Sequence, residues 1–329
     1  MMSKKLVVTC ALDDEDYEII TGALEGAGET IVLADQSREA RAKSLTDAAV
    51  LLARNISKEL TDDEFELLDN VSLLQFVSAG IDFIRLGGLP SSLRIAFNGG
   101  GYAEPMAEHG LAMTLAAAKR LIIEHHNLKR GDFNQFTPNR MLAGGVAGVL
   151  GFGGIGAASA RLLRGLGMSI HAINRRGASD EPTDWIGRPL DLDQMLTTVD
   201  VLLVSLPLTR ATERMIGARE LGLMKPDAIL VNLARGEIID EAALYGHLCT
   251  HPDFTVCIDA WWIEPVRHGA FQMDQPFLDL PNVIASPHNS ASVRGWRRTA
   301  LARAVSNCRR ALLGEEPLHL VGPDDRFLD

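Results

Sequence analysis

Residues 149–156 read Val149-Leu150-Gly151-Phe152-Gly153-Gly154-Ile155-Gly156, and this stretch decides the fold. Gly151, Gly153 and Gly156 fall in the order G-x-G-x-x-G. An apolar run, Gly145-Val146-Ala147-Gly148-Val149-Leu150, leads in, and a helix-like segment, residues 157–166, leads out. In a strand–turn–helix unit the first glycine permits the tight turn and the second lets the backbone approach a pyrophosphate. The third lets helix and strand pack closely. The phosphate then rests on the helix N-terminus, where unpaired N–H groups and the dipole favour an anion. A glycine triplet alone is weak evidence, and the flanking strand and helix give it its weight. Phe152, Gly154 and Ile155 are expected to contact the dinucleotide together with the three glycines.

The next strand-like segment, residues 168–173, ends in Asn174-Arg175-Arg176, with Asn174 standing 23 positions after Gly151. An NAD site places an Asp or Glu here for the ribose 2′-hydroxyl. The acid is absent and two arginines follow. A guanidinium pairs with a phosphate dianion, often bidentately. The position predicts NADP(H) in preference to NAD(H), with Asn174, Arg175 and Arg176 beside the 2′-phosphate.

Strand-like and helix-like segments alternate on both sides of this unit. Residues 6–9, 30–34, 48–52, 73–77 and 95–97 read as strands, and 16–27 and 62–68 as helices. Such alternation means βαβ units and a parallel sheet. Residues 104–125 form one long helical pattern, and a polar connector, residues 129–141, leads into the glycine-rich unit. Beyond it, residues 201–206, 228–232, 255–259 and 283–285 read as buried strands and residues 294–313 as a last helix. The fingerprint begins well inside the chain, so the dinucleotide domain reads as an insertion. Residues 99–289 are assigned to it, and residues 1–98 with 290–329 to a substrate domain.

Composition narrows the class. A chain of 329 residues points to two domains, and 47% apolar with 23% charged residues suits a globular enzyme with a large core. A net charge of −11 argues against nucleic acid as a partner, which needs a basic face. No apolar run approaches a membrane span. The basic start of the chain soon meets Asp13-Asp14-Glu15-Asp16, so it reads as a first strand and not a signal peptide. Cys10, Cys249, Cys257 and Cys308 show neither paired nor metal-like spacing. They are expected to be buried thiols in a reducing cytoplasm, and no metal site is expected.

Past residue 204 longer motifs appear. Residues 205–244 read SLPLTRATERMIGARELGLMKPDAILVNLARGEIIDEAAL. Asp259-Ala260-Trp261-Trp262-Ile263-Glu264-Pro265 and Leu280-Pro281-Asn282-Val283-Ile284-Ala285-Ser286-Pro287-His288 follow. Val77-Ser78-Ala79-Gly80-Ile81-Asp82 and Ala107-Glu108-His109 precede them. These blocks resemble the D-isomer-specific 2-hydroxyacid dehydrogenase family, glyoxylate/hydroxypyruvate reductases among them, over residues 51–311. The resemblance implies an α/β fold of two doubly wound parallel sheets, a Rossmann domain inserted into a flavodoxin-like substrate domain. It also implies a homodimer to which residues 104–125 contribute. The implied reaction is reduction of a small 2-keto acid, such as glyoxylate or hydroxypyruvate, to the D-2-hydroxy acid, with NADP(H) preferred on the arginines above and NAD(H) possible.

Site residues carry over position by position. Arg235 corresponds to the arginine that binds the substrate carboxylate and polarises its keto oxygen, a task suited to a permanently charged planar fork. His288 corresponds to the acid/base and Glu264 to its carboxylate partner, since ketone reduction needs a proton donor that is charged near neutral pH. The N–H groups of Ala79 and Gly80 correspond to further ligands of the substrate carboxylate. Leu206 and Pro207 correspond to the adenosine side of the cofactor site. Leu233 and Ala234 correspond to further cofactor contacts, and Asp259 to the nicotinamide carboxamide. Glu264 and His288 are 24 positions apart, several more than the family spacing, and the excess in residues 266–274 reads as a surface-loop insertion. His268 lies within it and reads as a loop residue, not the base. Two other functions share the architecture. Co-repressors of the C-terminal-binding-protein type sense dinucleotides and act as interaction proteins. Formate dehydrogenases carry glutamine where Glu264 stands, so formate oxidation is disfavoured.

Overall fold

Val50-Leu51-Leu52-Ala53 shows why the first sheet forms. Alternate residues of a strand face opposite sides. Val50 and Leu52 join Leu6, Val8 and Leu73 in one apolar layer, while Leu51 and Ala53 join Val7, Leu74 and Phe76 in another. A strand buried on both faces carries no polar position, which is the mark of a parallel sheet covered by helices. The first layer packs against the helices Asp14–Leu24 and Trp296–Leu313 through Ile20, Leu24, Leu301, Val305 and Cys308. The second packs against Leu45, Ile56, Phe65 and Leu68. Full burial of each such side chain is worth about 1.5–3 kcal/mol.

The computed structural model describes residues 4–322. Its strands are β1 (Lys5–Val8), β2 (Glu29–Val32), β3 (Val50–Ala53), β4 (Leu73–Phe76), β5 (Arg94–Ala96), β6 (Val146–Leu150), β7 (Ser169–Ile173), β8 (Trp185–Gly187), β9 (Val201–Val204), β10 (Ile229–Asn232), β11 (Thr255–Ile258) and β12 (Val283–Ala285). They form two parallel sheets, in the orders β2-β1-β3-β4-β5 and β12-β11-β10-β9-β6-β7-β8. The first is the flavodoxin-like order. The second is the Rossmann order, with its switch point between β6 and β9. The fold class is the one the resemblance implied. Two compact units hold the sheets: residues up to Tyr102 with those from Val293 onward, and Ala103–Ser292. In the first unit the chain returns after the last helix, where Leu320 bridges Ala96 of β5 and Val321 N–H donates to Ile95 C=O at 2.8 Å.

Several local expectations need correction. The long pattern at 104–125 is two helices, Ala103–Ala118 and Leu121–Lys129, broken where Arg120 turns left-handed at φ 54°. The break is tertiary in origin: Arg140 N–H takes the Ala118 carbonyl at 2.9 Å and Lys119 Nζ holds the Arg140 carbonyl at 2.8 Å. Strand β8 and the helix Arg38–Thr46, capped by Ser37, were not foreseen. Cys249 is exposed, whereas Cys10, Cys257 and Cys308 are buried as expected. Among the described residues no helix is long and apolar enough to cross a membrane.

One histidine makes the fold acid-sensitive. His247 stacks on His251 with ring centroids 4.0 Å apart and meets Phe254 edge-on at 4.7 Å. Its Nε2 is buried without a hydrogen-bond partner. Burial, and then the charge of His251, push its pKa down to about 4. The folded value lies below the unfolded one, so the unfolded chain binds more protons between them. The part of the stability that His247 contributes as a neutral ring is therefore fully present above about pH 6.5 and is lost as the pH falls towards 4. Melting temperature is expected to drop between pH 7 and pH 5, with His247 accounting for on the order of 1 kcal/mol after allowance for its partial exposure. Circular-dichroism melts of wild type and His247→Phe check this. An equal pH slope in both would count against it.

Candidate active site

The carboxyl ends of β6, β7, β9, β10, β11 and β12 carry the site. At the end of β6, Gly151 takes φ +100°, and a Cβ there would lie 2.8 Å from the Leu206 nitrogen. The Ser205 hydroxyl donates to the Gly151 carbonyl at 2.8 Å, tying the turn to the residues after β9. Gly153 caps the helix Gly154–Gly165, and nothing stands within 4 Å of where its Cβ would be. A crowded first glycine, an open second and a helix N-terminus together fit a pyrophosphate. Phe152 is buried in the turn. Leu206 and Pro207 follow β9 across the switch point, and the Pro207 carbonyl accepts from the Thr212 hydroxyl at 2.7 Å.

Beyond β7, the Asn174 side chain is spent on its own turn: Oδ1 accepts from the N–H groups of Arg176 and Gly177 at 3.0 and 2.8 Å. Arg175 and Arg176 are exposed on that turn. A third arginine, which sequence reasoning missed, joins them from the end of β8, where Arg188 Nε donates to the Arg176 carbonyl at 3.3 Å. No carboxylate occupies the position that would read a free 2′-hydroxyl.

After β10 the buried Asn232 shapes the next loop. Its Oδ1 accepts from Ala234 N–H at 3.0 Å and its Nδ2 donates to the Arg235 carbonyl at 2.9 Å. Leu233 and Ala234 are buried beneath, and an Arg235 Nη1 donates to the Ala234 carbonyl at 2.7 Å. A Cβ on Gly236 would lie 2.4 Å from the backbone of Trp261 and Trp262. Only glycine lets the Arg235 loop approach the segment that bears Glu264.

Glu264 and His288 meet as expected. His288 Nδ1 lies 2.7 Å from Glu264 Oε2 and 2.9 Å from Oε1. Oε1 also accepts from Trp261 N–H at 2.7 Å. Burial pushes the Glu264 carboxyl up, but the bonds from His288 and Trp261 and the charges of His288 and Arg235 outweigh it and hold the group below the ordinary range. An ionised carboxylate can only accept, so Nδ1 carries the hydrogen and Nε2 is left to exchange a proton. His288 itself sits at φ +49°, a strained conformation for a residue with a Cβ.

The inserted segment lies at the surface, as expected, with most of its residues exposed. It opens as the helix Pro265–His268, turns at Gly269 and returns to bridge Ile263 through Gln272. Arg267 binds Glu237 at 2.5 Å, and Phe271 meets Trp261 edge-on at 5.3 Å. His268 Nδ1 accepts the Glu264 N–H at 3.0 Å, so its ring supports the backbone of Glu264.

The sequence profile described as "D-isomer specific 2-hydroxyacid dehydrogenase, NAD binding domain" matches residues 111–290. The chain belongs to this family. A nicotinamide dinucleotide is its cofactor, and its members act on CH–OH groups. The chain is 34% identical over 225 residues to glyoxylate/hydroxypyruvate reductase B of Pectobacterium carotovorum, covering 67% of this chain and 69% of that protein. It is 29% identical over 315 residues to D-3-phosphoglycerate dehydrogenase of Methanocaldococcus jannaschii, covering 94% of this chain and 58% of that one. This chain thus spans little more than half the length of the archaeal relative. In fold it resembles a D-isomer specific 2-hydroxyacid dehydrogenase of Xanthobacter autotrophicus Py2, with TM-score 0.77, 24% identity and coverage of 99% and 100%.

Other positions stand as follows. Asp259 is wholly buried, and its oxygens already accept the Ser286 hydroxyl at 2.6 Å and the N–H groups of Asn289 and Ser290 at 3.1 and 3.3 Å. Ser290, not singled out from sequence, has a buried Oγ with no hydrogen-bond partner among the described residues. Its signal lies in Ser286-Pro287-His288-Asn289-Ser290, two positions past the histidine. Ala79 and Gly80 stand in the first unit, in the loop after β4. Trp262 stacks on Phe277 at 5.3 Å and donates to the Ile239 carbonyl at 2.8 Å. Among the described residues no group of His, Cys, Asp or Glu is placed to hold a metal ion.

Two glycine substitutions separate ligand contact from packing. Gly153→Ala is expected to keep the melting temperature of the cofactor-free protein within about 4 °C yet weaken dinucleotide binding tenfold or more, read by titration calorimetry. Gly236→Ala is expected to destabilise the fold by up to about 3 kcal/mol, because backbone must move. Unchanged binding by Gly153→Ala would argue against the pyrophosphate placement.

Proposed function

We propose that this chain is an NADP(H)-dependent reductase that converts a small 2-keto acid, such as glyoxylate or hydroxypyruvate, into its D-2-hydroxy acid. The observation that carries the reading is the bond between His288 Nδ1 and the ionised Glu264 at 2.7 Å. When bound, the dinucleotide supplies the hydride that reduces the keto carbon. Arg235 holds the substrate carboxylate and draws electron density towards the keto oxygen. His288 gives the proton on Nε2 to that oxygen, so one hydride and one proton turn the ketone into an alcohol. Glu264 stabilises the charged ring before transfer and fixes its orientation afterwards. In the oxidative direction the same nitrogen takes the proton back.

The preference for NADP(H) rests on three exposed arginines, Arg175, Arg176 and Arg188, around a turn that carries Asn174 instead of an acid. A second reading concerns the substrate. The relative matched over 94% of this chain is a D-3-phosphoglycerate dehydrogenase. That relative's name favours a substrate with a second anionic group.

One assay panel decides. Glyoxylate, hydroxypyruvate and phosphohydroxypyruvate are each offered with NADPH and with NADH. NADPH turnover with the small acids is expected. Arg175→Ala/Arg176→Ala should lower kcat/KM for NADPH by about 10- to 100-fold, the worth of lost charged hydrogen bonds, and spare NADH. His288→Gln should lower kcat by about 100-fold or more. Preference for the phosphorylated acid would select the second reading. No turnover with any keto acid would move the chain to a dinucleotide-sensing interaction role.

A homodimer is proposed on separate grounds. The helix Leu121–Lys129 buries none of its residues, and Phe133 and Phe136 in the connector are 76% and 87% exposed. Exposed large apolar side chains, where they form one patch, mark an interface. The expected partner is a second copy. Light scattering after size exclusion should give a dimer for wild type and a monomer for Phe133→Asp/Phe136→Asp. A wild-type monomer ends the proposal.

A further inference from the structure

His109 belongs to no cofactor or substrate contact assigned above, yet it ends a chain of bonds that leads to His288. It lies on the helix Ala103–Ala118, and its Nε2 is 2.9 Å from Ser286 Oγ. Ser286 Oγ in turn is 2.6 Å from Asp259 Oδ1. The carboxylate can only accept, so the one hydroxyl hydrogen points at Asp259. A lone pair on the hydroxyl is then left for a donor, and His109 must carry its ring hydrogen on Nε2. The direction of every bond in this chain follows from that.

Asp259 holds three consecutive backbone N–H groups. Its carbonyl accepts from His288 at 2.9 Å, Oδ1 from Asn289 at 3.1 Å and Oδ2 from Ser290 at 3.3 Å. These are the bonds that keep His288 at φ +49°. The carboxylate is completely buried, so loss of one donor cannot be made good by solvent. The Ser286 carbonyl also accepts from Trp261 Nε1 at 2.9 Å, while Trp261 N–H holds Glu264. Ser286 therefore touches both supports of the His288–Glu264 pair: the carboxylate under the turn and the tryptophan behind the glutamate.

We propose that His109 and Ser286 are positioning residues that act through Asp259 to hold His288 in its left-handed turn, with Nε2 directed at the reacting oxygen. The proposal rests on the role given to His288 above. Without the hydroxyl, Asp259 loses its shortest bond and is free to rotate. The strained turn then relaxes towards ordinary backbone angles, and Nε2 leaves its line of transfer. Misplacement by about 1 Å is enough to cost roughly 100-fold in rate. A group that fills space without orienting anything would leave kcat alone once the fold is intact.

Ser286→Ala, His109→Leu and His109→Gln test this against wild type. Glutamine keeps an N–H donor on a side chain of similar reach, and leucine keeps the bulk without the donor. Ser286→Ala and His109→Leu are expected to lower kcat tenfold or more with keto-acid KM within about twofold, and His109→Gln to recover most of the loss. Hydrogen exchange on the cofactor-free protein is the second readout. Amides 288–290 should exchange at least tenfold faster in Ser286→Ala and His109→Leu, with the rest of the sheet still protected. Exchange at these amides equal to wild type, or kcat within twofold of it, overturns the proposal. Exchange needs no turnover, so if wild type reduces no keto acid the reaction assignment fails while the anchoring is still decided by the amides.

Discussion

A carboxylate whose side chain is only 9% exposed stands at position 264, and groups from the β10–β12 side of the second unit's carboxyl edge hold it ionised. Burial alone would favour the protonated acid. The imidazole of His288, the N–H of Trp261 and the field of Arg235 reverse that preference. Each compensating group has its own support. Gly236 brings the Arg235 loop against Trp261 and Trp262, Asn232 folds that loop, and His268 receives the Glu264 N–H. The protonation state of one side chain thus depends on residues from β10, β11, β12 and the inserted segment.

The cofactor half of the unit follows a different logic. Its features are spaces and backbone donors: the open side of Gly153, the N-terminus of the helix Gly154–Gly165 and a turn lined with arginines. Nothing stands within 4 Å of where a Cβ on Gly153 would lie, which fits the close approach of a ligand proposed above. The half around His288 and Glu264 makes many bonds within the protein, and they surround a histidine held at φ +49°. A single sheet edge holds both, on either side of the switch point between β6 and β9.

Legibility divided along the same line. The glycine fingerprint, the arginines after β7 and the runs of β9 and β10 were readable because each is local: a turn, a spacing, a buried strand. The pairing of Glu264 with His288 came through resemblance, since no periodicity links residues 24 positions apart. Ser290, Arg188 and the His109–Ser286 link were missed because single polar residues carry no pattern until the fold gathers them. The break at Arg120 was invisible for a similar reason: no glycine or proline marks it, and its cause is Arg140, twenty residues on.

By itself, then, the amino-acid order settled the alternation of strands and helices, the parallel sheets and the dinucleotide turn. Those depend on contacts between neighbours in the chain and on the two-sided burial that apolar strands demand. The tertiary structure alone decided which atoms of His288 and Glu264 face each other, that Asp259 is buried, and that the 266–274 segment bridges Ile263 through Gln272. Hydrogen-bond direction and burial belong to groups brought together from separate strands, and these are quantities that no single stretch of sequence contains.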